Sequence, residues 1–107
     1  MDMDIKLTMI VSWWAQRLDK GDKAAFVKAL AREVEANKPE HLGVDYDPQG
    51  ELLTAVRESG VDCRGSFFSA DGVLPKKTTM WINETKIEVR EGRGAPIETI
   101  WDASWFE

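Results

Sequence analysis

A thiol and an imidazole occur once each in this 107-residue chain, at Cys63 and His41. They are the only nucleophile–base pair the sequence offers. A Cys–His mechanism needs the sulfur within hydrogen-bond reach of the ring, with a third group to orient the imidazole. Spacing along the chain establishes neither condition. A lone cysteine at the start of a strand is ordinarily a small buried hydrophobe, and His41, just after Pro39-Glu40, reads as a solvent-facing loop residue. No Cys/His cluster or spaced carboxylate set accompanies the pair, so no metal or cofactor is expected.

Asp45 and Asp47 flank Tyr46 and are followed by Glu51. Two carboxylates at a strand end could act as an acid/base pair or hold a divalent cation. The Asp-x-Asp-x-x-Gly spacing resembles part of a calcium loop but lacks the third acidic position and the closing glutamate. Helix capping by Asp47 and hydration of Asp45 explain the same residues. Gly92-Arg93-Gly94 resembles a phosphate loop only in composition, because a phosphate loop leads into a helix N-terminus. Here Pro96 is followed by the β-branched Ile97, Thr99 and Ile100. The glycines are expected to supply backbone angles closed to other residues, with Arg93 at the tip facing an acidic partner.

A surface constellation has more substance. If Met80, Ile82, Ile87 and Val89 face a core, strand alternation turns Lys77, Thr79 and Trp81 to the opposite face. Lys86, Glu88 and Arg90 join them from the neighbouring strand. Between Lys76 and Gly94 there are five basic and three acidic side chains, a basic excess within a chain of net charge −5. An aromatic among cations can stack on a guanidinium, and this mixture is enriched at interface hot spots. The alternative is a solvated sheet face whose Trp81 is covered by neighbours or by the chain end. That end, Ile97 to Glu107, has three acidic residues and no basic one, with Trp101, Trp105 and Phe106 among them. It could fold over the sheet beside Lys86, Arg90 and Arg93, or insert into another molecule. Partner-binding residues are therefore expected at Lys77, Trp81, Lys86, Arg90, Arg93 and Trp105. Of the adjacent Trp13 and Trp14, the second belongs to an apolar helical stripe. Trp13 lies at its border and could face a partner.

Apolar periodicity and punctuation define the elements that must position these residues. Leu7, Ile10, Val11, Trp14 and Leu18 follow one helix face, with Asp4 as a candidate N-cap. Ile5 to Met9 would also suit a short strand. Asp22 should cap a second helix with the stripe Phe26, Val27, Leu30, Ala31 and Val34, ended at Lys38-Pro39. So short a connection predicts an antiparallel helical hairpin. A brief strand from His41 to Tyr46 precedes a third helix, started by Asp47-Pro48 and stopped at Gly60. A strand around Phe67 and Phe68 is expected next. Lys77–Ile82 and Thr85–Arg90 form the best hairpin, joined at Asn83-Glu84, and Ile97–Trp101 is the last strand. The order predicts a single α+β domain over residues 1–107. Its helical hairpin and third helix would pack on one face of a mainly antiparallel sheet of three to five strands.

Such a chain buries roughly two-thirds of its unfolded surface and can stand without disulfides or metals. Its acidity argues against a nucleic-acid partner, which calls for a basic stripe. One cysteine allows no internal disulfide, and the acidic start and broken apolar run suit neither a signal peptide nor a membrane span. The expectation is a cytoplasmic, non-enzymatic protein that binds a protein partner and acts by occlusion. Immunity proteins, antitoxins and phage-encoded inhibitors of host defence share this size and charge. Two alternatives stay open. One is a homodimer or other self-assembly with a Trp-rich interface involving Trp13, Trp101 or Trp105. The other is a small enzyme using Cys63 and His41, or Asp45 and Asp47.

Overall fold

The computed structural model describes residues 2–45, 50–61 and 73–106. Helix α1 spans Asp2–Gln16 and α2 spans Lys23–Asn37. Strand β1 (His41–Val44) precedes α3 (Gly50–Glu58). Strands β2 (Thr78–Ile82), β3 (Lys86–Arg90) and β4 (Glu98–Asp102) follow, and Ala103–Phe106 closes the described chain as a 3-10 turn. The fold is α+β, with three helices and a four-stranded antiparallel sheet in the order β1-β2-β3-β4. The expected strand around Phe67 and Phe68 and the Asp47-Pro48 helix start lie outside the described residues.

Helix α1 departs from its expected outline. It begins before Asp4, which therefore lies inside the helix and is not its cap, and no strand forms at Ile5–Met9. Its stripe is also wider than the apolar spacing alone: Trp13 and Ala15 are buried along with Ile10, Val11, Trp14 and Leu18. Trp13 is thus not a border residue free for a partner. Its ring meets that of Trp14 edge-on, with centroids 4.9 Å apart and planes at 85°. Such an edge-to-face pair adds about 1 kcal/mol to the area buried.

Helix α2 follows its sequence signals closely. The Asp22 carboxylate accepts from Ala24 N at 2.9 Å and from Ala25 N at 3.3 Å, satisfying donors that have no partner within the helix. Lys38 ends it in the left-handed conformation, donating its N–H to Val34 O. Two polar contacts then fix α3 against it. Arg32 holds Glu58 through Nη1 and Nη2, and Asn37 Nδ2 donates to Glu51 Oε2 at 3.3 Å. Because the later residue on α2 meets the earlier one on α3, the two helices run antiparallel. Where the chain turns into α2, Gly21 lies against Ser59, and Asp22 N donates to Ser59 O at 2.8 Å.

One buried cluster takes in Trp14, Phe26, Leu30, Leu52 and Val56 from the helices and Leu42, Met80, Ile87 and Val89 from the strands. Strand β4 reaches it by an irregularity. Ile87 pairs with Trp101 and Glu88 with Thr99, leaving Ile100 as the extra residue of a β-bulge. Ile100 and Trp101, consecutive in sequence, consequently both pack against the cluster. A regular strand would have sent them to opposite faces.

Candidate functional site

The β2–β3 hairpin is set by its turn. The Asn83 side-chain oxygen accepts from Thr85 N, Thr85 Oγ1 and Lys86 N at 3.0, 3.2 and 2.9 Å, so the connection takes in Thr85 as well as Asn83-Glu84. With that register, Met80 and Val89 pair on the buried face, and Trp81 falls on the other. His41, Trp81, Glu88 and Thr99 form one row across all four strands. Gly43, Thr79 and Arg90 form the next. Glycine and threonine leave this second row low, and a depression of about 510 Å³ opens beside Trp81.

Its lining includes His41, Lys77, Thr79, Trp81, Arg90 and Arg93. Arg93 reaches it because Gly92 and Gly94 adopt φ of 97° and 75°, angles that a side chain disfavours. The turn is tied down from below. Thr78, fully buried, accepts from Gly92 N at 3.2 Å while its hydroxyl donates to Lys76 O at 3.2 Å. Thr78 therefore positions Arg93, a role sequence reading did not assign to it. The signal available was a threonine on the buried face of a strand, where a hydroxyl needs a partner.

Electrostatically the depression is basic. Lys77 Nζ pairs with the Asp45 carboxylate, and Lys77 N donates to Asp45 O at 3.0 Å. No hydrogen bond or ion pair engages the side chains of Arg90 and Arg93 among the described residues. Trp81 is half-buried and stands outside the core cluster, whereas Trp101 packs against it. An indole beside two guanidinium groups can hold an aromatic or apolar side chain and grip a carboxylate bidentately.

Four of the six expected binding residues, Lys77, Trp81, Arg90 and Arg93, thus line one depression. Lys86 and Trp105 do not. Lys86 lies near the opposite end of β3, 3.9 Å from Glu88 Oε2 and across from Asp102. Trp105, 58% exposed, follows β4, while Arg93 precedes it. Five strand residues separate those ends by roughly 17 Å. Glu98, across from Val89, therefore starts β4 at the Arg90 end, whereas Asp102, Ser104 and Trp105 lie at the Lys86 end of the sheet. Ala103 N is held there by Thr85 O at 2.8 Å, and Lys86 helps Ser104 lower the Asp102 pKa.

His41 is an exposed strand residue and not a loop residue, and it borders the depression with Asp45. Cys63 and Asp47 lie outside the described residues, so the thiol–imidazole and paired-carboxylate arrangements have one placed member each. Among the described residues no three His, Cys, Asp or Glu side chains could together hold a metal ion. No helix among them is long and apolar enough to cross a membrane. Neither a protein-family model nor a curated protein sequence matches this chain.

Proposed function

We propose that this is a small cytoplasmic, non-enzymatic binding protein that occludes a partner protein by seating a short acidic segment of it on the outer sheet face. The observation that carries this reading is the convergence in one open depression of Trp81 with Arg90 and Arg93, which have no side-chain partner among the described residues. Trp and Arg are the residue types that dominate binding energy at interfaces. Placing them outside the core spends no core packing on the site.

The charge balance narrows the partner. An extended polyanion would meet the rest of a chain with net charge −5, and repulsion would oppose its track. A short acidic stretch on a folded protein needs only the local basic field. Size and charge match those of immunity proteins and antitoxins, which work by such occlusion. The single cysteine accords with a reducing compartment.

The experiment is affinity capture from native lysate, followed by calorimetry of the purified partner with wild type, Trp81→Ala and Arg93→Ala. Each substitution is expected to weaken binding by about tenfold or more. Folded variants that bind as tightly as wild type would sink the reading. Self-association is the second reading, favoured by the exposure of Trp105 at 58% and Ile97 at 49%. Sedimentation showing a monomer at every concentration would exclude it.

A further inference from the structure

A second concavity, of about 790 Å³, lies between α1, the C-terminal end of α2 and the β2–β3 turn. Its chemistry is opposite to that of the sheet face. The buried lining residues are apolar, Ile10 and Val34, and half-buried Leu7, Pro39 and Ile82 extend that surface outward. Glu35, Glu40 and Glu84 stand exposed around it. No hydrogen bond or close ion pair engages these three carboxylates among the described residues.

Two lysines share the rim, but only one is uncommitted. Lys6 Nζ donates to Asn83 O and lies 5.5 Å from the centre of the Trp101 ring, which holds its ammonium at one end of the groove. Glu84 faces that ammonium. Lys38 shares the rim with Glu35 and Glu40, so three carboxylates stand there against two ammonium groups and the rim is acidic by one charge. An apolar floor with an acidic rim matches an amphipathic segment that buries aliphatic side chains and turns cations outward, the helix-in-groove mode of recognition.

We propose that this groove is a docking site for a basic amphipathic segment of a partner protein. It is independent of the sheet face, so one protein could be held at both an acidic and a basic surface, or two at once.

The test uses NMR titration of the full chain with two capped peptides. One carries leucine on one helical face and lysine on the other; the second has glutamate in place of lysine. The lysine peptide should shift the amides of Leu7, Ile10, Ile82 and Asn83 while leaving Thr79 and Arg90 in place, and the glutamate peptide should not. A Glu35→Lys/Glu84→Lys variant should weaken the lysine peptide by about tenfold, since each rim charge acts near the surface, and should favour the glutamate peptide instead. Absence of lysine-peptide binding at millimolar concentration overturns the proposal. So do shifts confined to Thr79 and Arg90, equal affinity for both peptides, or an unchanged affinity in the double variant.

Discussion

The Arg17 guanidinium lies 3.7 Å from the centre of the Trp13 ring, and its Nη1 donates back to Trp13 O at 2.9 Å. Its Nε is 2.9 Å from Glu91 Oε2, an ion pair without hydrogen-bond alignment. One side chain thus covers a face of the Trp13 ring and links α1 to the segment after β3. Removing it in Arg17→Ala should cost about 1–2 kcal/mol through lost stacking and stem packing. Urea unfolding measures the loss, and the Trp13 indole signal should move toward its solvent-exposed position. An unmoved indole would refute the covering role.

Gly21 carries two constraints at once. Its φ is +99°, and a Cβ there would stand 2.4 Å from Ser59 Oγ and 3.1 Å from Ser59 O. Gly60 shares the φ of +99° but faces open space. Gly60→Ala should therefore cost about 1 kcal/mol, the ordinary left-handed penalty, and Gly21→Ala about 2–3 kcal/mol because overpacking adds to it. Equal losses in chemical denaturation would show that the approach to Ser59 carries no weight.

Asp102 supplies a pH dependence. Ser104 N and Ser104 Oγ donate to its carboxylate at 2.9 and 2.8 Å, and with Lys86 they hold its pKa below the usual value. A lowered folded pKa stabilises the protein above the unfolded value of about 4, and the benefit disappears as pH falls through the folded value. Ser104→Ala should raise the Asp102 pKa and reduce the part of stability lost in acid. Carboxyl NMR titration reads this directly, and an unshifted Asp102 contradicts it.

The electrostatics of the depression can be tuned without touching Trp81. Asp45 pairs with Lys77 and is the carboxylate among the described lining residues. Asp45→Asn should make the site more basic and speed association with an acidic partner by several-fold at low salt, with the gain fading as salt rises. A slower or salt-independent rate would point to a different contact surface.

Loss of the α2 cap gives a local check on the helices. Asp22→Ala strips the acceptor from Ala24 N and Ala25 N and should cost about 1 kcal/mol. Hydrogen exchange should quicken first at the start of α2, and unchanged exchange there would argue against the cap.

Features set by neighbours in sequence could be read without a fold. The Asp22 cap, the positive-φ stop at Gly60 and the apolar stripe of α2 depend on residues a few positions apart. So does the outward direction of Trp81, which follows from Met80 and Ile82 once the segment is a strand, because alternation is a property of the pleat. Alternation turns Arg90 to the same side, whereas Lys77, before β2 with a φ of 55°, and Arg93, after β3, reach the depression through their turns.

Tertiary structure decided the rest. Trp13 joins the core cluster, and Arg17, ion-paired with the distant Glu91, stacks over its ring. Ile100 and Trp101 face the core together only because a bulge against Glu88 breaks the alternation. Trp105 falls away from the depression because β4 carries the chain to the opposite end of the sheet from Arg93, where Lys86 starts β3. The acidic groove joins Leu7, Glu35 and Glu84, residues whose meeting depends on how two helices and a hairpin are packed. Periodicity reports which way a side chain points within its own element. Which element arrives to meet it is settled by packing between segments far apart in the chain.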